Sequence, residues 1–481
     1  MTANTHMMTC GCPGCMAQPQ ADHTVVKAAR SGAQPLHDTA ESSGAPAYAA
    51  AGLNSGAQFT VSTITYTFDA RAGHFGDSAG GAKGFALFNT TQQAAMVAAM
   101  QEYANVANVM FTQVHTTNPA GANIVFRQAD LPGDLAGWGY NPINDGADIT
   151  IDHAYSGGAL AKGQFGFRMF MHEVGHAMGM KHPFEGASTL PVNEDSANAS
   201  IMSYNGSDAA APAGGWAGGN TASRFGPNAP QTLQIYDIAA IQQVYGVNHN
   251  YHSGNDTYTI NGGEAKVFTI WDGAGADAIN AASYRNAATI DLREGLADVS
   301  HIGKTSFWVA FGANIENASG GSGNDAITGN ALNNQLSGNN GNDNIVGGDG
   351  NDTMSGNAGN DTLNGGAGGD ALLGGQGNDA LIGGEGNDFI SGDAGNDALT
   401  GGAGNDAFYF YAPRAGFDTI TDFHHDEDSI GLKGWNVNAA NIMNAVQFFS
   451  DHARIALDST STITLLGVVA GGLDAGDFLF S

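Results

Sequence analysis

Two histidines four residues apart with a glutamate beside the first, His172, Glu173 and His176, are the residues of this chain best placed to do chemistry. On a helix the two imidazoles lie one turn apart on the same face and can reach one metal ion, while Glu173 can point at a water in a further coordination position. A third histidine, His182, follows six residues after His176. It can return to the same ion only if the helix stops in between. Gly179 tolerates the positive φ that ends a helix and turns the chain, and Pro183 discourages any further helix. Three protein ligands plus one open position is the arrangement of a catalytic zinc, because structural sites close with four. Zinc lowers the pKa of a bound water to about 7. Glu173 is then the expected general base, taking a proton and returning it to a leaving amine.

A second donor set runs through the C-terminal half. From Gly320 the chain repeats every nine residues as Gly-Gly-x-Gly-x-Asp-x-U-x, with U a large apolar residue. Asp325, Asp343, Asp352, Asp361, Asp370, Asp379, Asp388, Asp397 and Asp406 share one register, and Asn334 fills the single weak position. Two residues after each comes an apolar residue, from Ile327 and Leu336 through to Leu399 and Phe408, giving ten units without an insertion. Glycines let the backbone turn tightly with carbonyls facing inward, and aspartates add hard anionic oxygens, which together suit several structural Ca2+ ions. One unit cannot bury its apolar side chain alone, so neighbouring turns must stack around a thin core between two sheets. A disordered glycine-rich linker would not hold that apolar register. In the unit beginning at Gly329, Leu332 replaces a glycine and Asn334 an aspartate, which disturbs the calcium sites nearest it.

These groups need elements to hold them. The spacing predicts a helix over Phe165–Met178 for the histidines. Before it, Phe59–Asp69 alternates apolar and polar residues as a first strand, and Ile124–Phe126 and Ile149–Ile151 read as further strands. Thr90–Val109 has helical spacing with Asn89 as its N-cap. Residues 1 to about 55 are rich in Ala, Gly, Ser and Thr without periodicity and read as a disordered leader. His153, His424 and His425 read as surface or loop residues with no metal.

At 481 residues two or three domains are expected. The net charge of −30 argues against nucleic acid or an anionic membrane as partner. Much of that charge lies on the repeat aspartates, so the C-terminal half should be largely unfolded until calcium neutralises it. Extracellular calcium modules typically have dissociation constants of about 10⁻⁴ to 10⁻³ M, so the chain is expected to stay unfolded in the cytosol and fold after export. Cys10, Cys12 and Cys15 all lie in the first fifteen residues, so no disulfide staples the folded parts. The N-terminus lacks the apolar core of a secretory signal and no run approaches the ~20 residues that span a bilayer, so no stable membrane insertion is expected.

The stretch from His172 to His182, with Glu173 and Gly179 in place, resembles the signature of the metzincin zinc endopeptidases. Ser200-Ile201-Met202-Ser203-Tyr204 resembles the methionine turn of their serralysin-type branch. The resemblance implies that Met202 supports the metal site structurally. It implies that Tyr204 approaches the zinc, as a further ligand or as a hydrogen-bond donor to the developing oxyanion. The nine-residue pattern is similar to the calcium-binding RTX repeat, whose architecture is a parallel β-roll. Trp271-Asp272-Gly273, Asp291-Leu292-Arg293-Glu294-Gly295 and the segment from Phe311 to Asn317 resemble the lead into that roll. The stretch from Tyr236 to Gln242 is similar to the last helix of the protease domain. The segment from Phe417 to Phe423 with Asp428-Ser429-Ile430 resembles the roll's cap, and Gly476-Asp477-Phe478-Leu479-Phe480-Ser481 is similar to an uncleaved type I secretion signal.

By resemblance, then, the expected fold is an α+β metzincin zinc-protease domain followed by an all-β C-terminal parallel β-roll. The expected divisions are a leader or prosegment at 1–55, a catalytic domain at 56–250, a β-roll at 251–415 with its repeats at 320–409, and a cap with secretion signal at 416–481. The implied function is that of a secreted, extracellular zinc endopeptidase of broad specificity, with one Zn2+ and several Ca2+. Its implied partners are polypeptide substrates and the type I secretion machinery, and a monomer is expected. The rival expectation is a catalytically silent RTX surface or adhesion module, against which the intact Glu173 and Tyr204 argue. The cysteines depart from the family pattern. Either one thiolate occupies the zinc's open position in a zymogen, as in the matrixin branch, or they form an incidental metal-binding or redox-active tail.

Overall fold

The structure is a computed structural model that describes residues 51–70, 83–116, 121–131, 137–139, 142, 145–153, 160–184, 189–191, 195–196, 198–203, 229–296, 299–413 and 416–480. The chain divides into two compact units: Met1–Tyr251 with Ala265–Gly273 and Ala310–Ala313, and His252–Glu264 with Ala274–Val309 and Asn314–Ser481.

In the first unit six strands form one mixed sheet: β1 (Thr63–Phe68), β2 (Lys83–Ala86), β3 (Met110–Gln113), β4 (Ile124–Asp130), β5 (Gly137–Gly139) and β6 (Ala147–Asp152). The order is β3-β1-β4-β6-β5, with β2 antiparallel on β4. Strands β3, β1, β4 and β6 run parallel, and β5 lies antiparallel on β6. Every residue of β6 is buried, as expected of a parallel strand covered on both faces. Strand β1 is shorter than the alternation from Phe59 to Asp69 predicts. Its first residues are held by side chains instead of a ladder: the Thr60 amide donates to Asp145 Oδ1 at 2.9 Å and the Phe59 amide to the Tyr245 hydroxyl at 3.1 Å.

Among the described residues the longer helices of this unit are α1 (Thr90–Val106), α2 (Phe165–Ala177) and α3 (Ile235–Tyr245), with α2 against β5 and β6 and α3 against α1. Asn89 caps α1 as predicted, in a reciprocal box with Gln92. The helix stops at Val106, short of Val109, because Ala107 turns extended and the next amide, of Asn108, donates to Gly246 O. All of α2 is buried, which makes it a core helix with no solvent face.

The second unit is built mainly of parallel strands in two sheets, with antiparallel pairs towards both ends of one of them. Successive nine-residue units alternate between the sheets, so each strand pairs with the one eighteen residues on. Leu336, Met354, Leu372, Ile390 and Phe408 stand in register in one sheet, and Ile327, Ile345, Leu363, Leu381 and Leu399 in the other. Each is 0–1% exposed. Burying one such side chain stabilises by about 1.5–3 kcal/mol, and the gain accrues only when the neighbouring turn is in place. These parallel sheets fit the predicted β-roll. The stacking also outlasts the strict repeat: Leu399 pairs with Ile420 and Phe408 with Ile430, after spacings of 21 and 22 residues. Phe478–Phe480 then pairs in parallel with Ser429–Lys433, so half of the segment resembling a secretion signal is a strand of this unit.

Candidate metal centre

Helix α2 carries His172, Glu173 and His176 in its last turns and ends at Ala177, after which Gly179 takes φ +92°. Glycine is required there twice over, since a Cβ would also sit 1.8 Å from the Ala57 carbonyl oxygen. The reversed chain is then fastened from outside. The Ser55 amide donates to Gly179 O at 2.9 Å and the Lys181 amide to Leu53 O at 2.7 Å. The folded unit therefore begins by Leu53, fully buried, a few residues before the boundary of 55 placed on composition. Backbone pairing, which composition cannot register, holds it there.

The turn brings His182 back over the helix. One ring nitrogen from each of His172, His176 and His182 lies within 4.8 Å of the others, and all three residues are buried. His172 Nε2 and His182 Nε2 are 3.2 Å apart. Tetrahedral zinc with Zn–N distances of about 2.0–2.1 Å separates two nitrogens by roughly 3.3 Å, so the donor set fits that ion. His172 Nδ1 donates to Ile201 O at 2.9 Å and His176 Nδ1 to Met180 O at 3.0 Å, which leaves each Nε2 lone pair for a metal. Burial first, then the neighbouring imidazoles, hold His172 well below the ordinary histidine value, which favours the neutral form that can bind a metal.

Sequence reasoning named the three histidines and Glu173 but missed what packs round them. Strand β5 passes directly over Glu173: a Cβ on Gly137 would lie 2.9 Å from Glu173 Oε1, and one on Gly139 would lie 2.7 Å from Glu173 O. Beneath the helix, a Cβ on Gly175 would sit 2.7 Å from Met202 Sδ and 2.8 Å from the Tyr103 hydroxyl. Gly175 is thus the hollow that receives Met202. The turn bearing Met202 is clamped from two sides. Asp237 of α3 accepts from Ser200 Oγ (2.6 Å), the Ile201 amide (2.8 Å) and the Gln234 amide (2.9 Å). Arg168 of α2 donates to Ile201 O (3.0 Å) and Ser203 O (2.7 Å). Burial pushes the Asp237 carboxyl up to about 6. The only sequence signal for Asp237 was its place in the last-helix segment. Tyr204, Cys10, Cys12 and Cys15 lie outside the described residues.

In the second unit the repeat aspartates form two rows, one along each edge where the chain turns. In one row the Asp325, Asp343, Asp361, Asp379 and Asp397 amides each donate to Oδ1 of the next aspartate, at 2.7–3.0 Å. The other row runs from Asn334 through Asp352, Asp370, Asp388 and Asp406 in the same way. The rows end at Asp418 and Asp428, which no nine-residue register could find. In the eight aspartates from Asp343 to Asp406, Oδ2 is buried and accepts no hydrogen bond. Each of these oxygens lies 2.1–2.4 Å from where a Cβ would stand on the glycine five residues earlier. Burial raises the group as a whole, Asp343 and Asp397 to about 7 and Asp418 to about 8. A row of dehydrated carboxylate oxygens with no donor fits a cation of calcium type.

A family model described as peptidase M10 serralysin C terminal matches residues 235–481. Over 288 residues the chain is 31% identical to serralysin A of Dickeya chrysanthemi, covering 55% of this chain and 57% of that one. It is 32% identical over 301 residues to the metallopeptidase AprA of Pseudomonas marginalis, covering 55% and 59%. A serralysin of Photorhabdus luminescens is 31% identical over 274 residues, covering 50% and 53%. The matches thus span about half the length of these relatives.

Proposed function

Because the chain belongs to the peptidase M10 serralysin C-terminal family, we propose that it is a secreted zinc metalloendopeptidase, exported by a type I route and stabilised by calcium. The convergence of three buried imidazoles beside Glu173 carries this reading. His172, His176 and His182 would hold the zinc, which when bound supplies a Lewis acid and an acidified water. Glu173 acts as general base toward the attacking water and as acid toward the leaving nitrogen. Hydrogen bonds to Ile201 O and Met180 O hold the His172 and His176 rings in the ligating tautomer. Met202 fills the hollow at Gly175 and keeps the ligand-bearing helix from shifting. Tyr204 is assigned the oxyanion contact and Gly179 the return of His182. Strand β5 is the end strand of its sheet order and runs past Glu173. An extended polypeptide adding to its free edge would present main-chain carbonyls to the centre with little demand on side-chain identity, which supports broad specificity.

Calcium is assigned to the eight interior aspartates, whose Oδ2 accepts no hydrogen bond; Asp325, also expected to bind it, has both oxygens taken by backbone amides. The role of calcium is structural, neutralising carboxylates that folding dehydrates. The test is casein hydrolysis by the full chain with zinc and millimolar calcium. Wild-type activity abolished by Glu173→Ala and by a zinc chelator supports the reading. A folded, zinc-loaded protein, freed of its first ~50 residues so that Leu53 and Ser55 keep their bonds to the turn, that hydrolyses nothing overturns it in favour of a silent surface module.

A further inference from the structure

Eight interior aspartates leave Oδ2 without a donor, but the unit that opens the second row is built differently. There Asn334 Oδ1 accepts the Asn330 amide at 2.8 Å, and Asn334 Nδ2 donates to Asn330 Oδ1 at 3.0 Å. Asn330 Oδ1 also accepts the Leu332 amide at 3.0 Å. Asn330 Nδ2 donates to Ile315 O at 2.8 Å and to Leu292 O at 3.3 Å. Both side-chain amides are thereby satisfied at oxygen and nitrogen, without a net charge. The backbone differs too. Along this row the position of Leu332 is taken by Gly350, Gly368, Gly386 and Gly404, at φ +106° to +141°, whereas Leu332 has no positive φ.

We infer that Asn330 and Asn334 form a metal-free plug, in which the amide NH2 of Asn330 does for the Ile315 and Leu292 carbonyls what a cation does for carbonyls in the later turns. Calcium binding in this row then starts at Asp352, and the turn holding Asn334 closes by hydrogen bonds alone. The other row closes similarly: Asp325 accepts the Ala288 amide on Oδ1 and the Gly321 amide on Oδ2, at 2.7 and 2.5 Å. Parallel strands still stack upstream of the turn holding Asn334, Ala288–Asp291 on Ala326–Thr328 and Asn317–Ser319 on Gln335–Asn340, so the physical logic is one of charge: without a carboxylate this turn offers an ion no anionic oxygen. A neutral donor pair ends the row without one.

This inference rests on the calcium reading of the interior aspartates, and the experiment separates the two. Calcium bound per full-length chain is counted by equilibrium dialysis and metal analysis for wild type, for the consensus-restoring variant N330G/L332G/N334D, and for Asn334→Ala. The restored variant should bind at least one ion more than wild type. Asn334→Ala should bind the same number, with the calcium midpoint for folding raised about twofold or more because the plug is broken. No gain in a folded restored variant, or loss of an ion in Asn334→Ala, overturns the plug. Should the restored variant not fold, Asn334→Ala decides alone. Wild type binding no calcium would sink the calcium reading itself.

Discussion

Replacing Gly175 with alanine tests whether the hollow in α2 exists for Met202. Judged on helix propensity alone, Gly175→Ala should stabilise, because glycine inside a helix costs roughly 0.5–1 kcal/mol against alanine. The packing says the reverse. The new methyl would stand 2.7 Å from Met202 Sδ and 2.8 Å from the Tyr103 hydroxyl, both residues being 0% exposed. Overpacking a filled core costs about 1–3 kcal/mol. If Tyr103 yields instead, its hydroxyl loses Met171 O, now 2.8 Å away, and leaves a buried group unpaired, at about 1–3 kcal/mol. Either way the penalty outweighs the propensity gain, and a net loss of roughly 1–2 kcal/mol is expected. For a domain of this size that lowers Tm by about 2–4 °C per kcal/mol. The assay is thermal unfolding followed by circular dichroism with zinc and calcium saturating, in wild type, Gly175→Ala, Met202→Ala and the double variant. Removing the sulfur first should make Gly175→Ala less costly, a coupling the cycle reads directly. An unchanged or higher Tm for Gly175→Ala, or strict additivity in the cycle, would refute the argument.

Other consequences follow from the same geometry. Gly139→Ala places a methyl against the Glu173 backbone oxygen, which cannot rotate away, so kcat/KM on casein should fall at least about tenfold. Wild-type kinetics would show that β5 does not confine Glu173. Asp237→Ala strands two amides and a hydroxyl and should cost about 3 kcal/mol. It should also hasten zinc loss to a chelator, since His172 leans on Ile201 O; an unaltered release rate would mean the methionine turn is held without it. In the calcium-free protein the raised carboxyls bind more protons folded than unfolded between 3.8 and about 7 for Asp343, or about 8 for Asp418. Stability of the metal-free roll is therefore present below that window and lost as pH rises through it. Circular dichroism should show more β-structure at about pH 4.5 than at about pH 8, with calcium abolishing the difference; the opposite slope would contradict the assignment of these shifts.

Much of this protein could be read from its residues in order. His172, Glu173, His176, Gly179 and His182 carry their own geometry, because a helix places the first three and a glycine breaks it before the fifth. The nine-residue register fixes stacking partners eighteen residues apart, since each unit can bury its apolar residue only against the next turn but one. Asn89 was legible as a cap because capping is local. Tertiary structure decided what depends on distant segments meeting. The start of the folded unit at Leu53 rests on backbone bonds to Gly179 and Lys181 across more than a hundred residues. The requirement for glycine at 137, 139 and 175 arises from neighbours on other elements, and no local pattern encodes it. Asp418 and Asp428 join the rows because a loop absorbs their irregular spacing, and a carboxylate's place in a row depends on where its strand stacks. Asn330 and Asn334, two lapses from a repeat when read along the chain, are a closed hydrogen-bonded pair in space, because complementarity between side chains is a property of the folded turn.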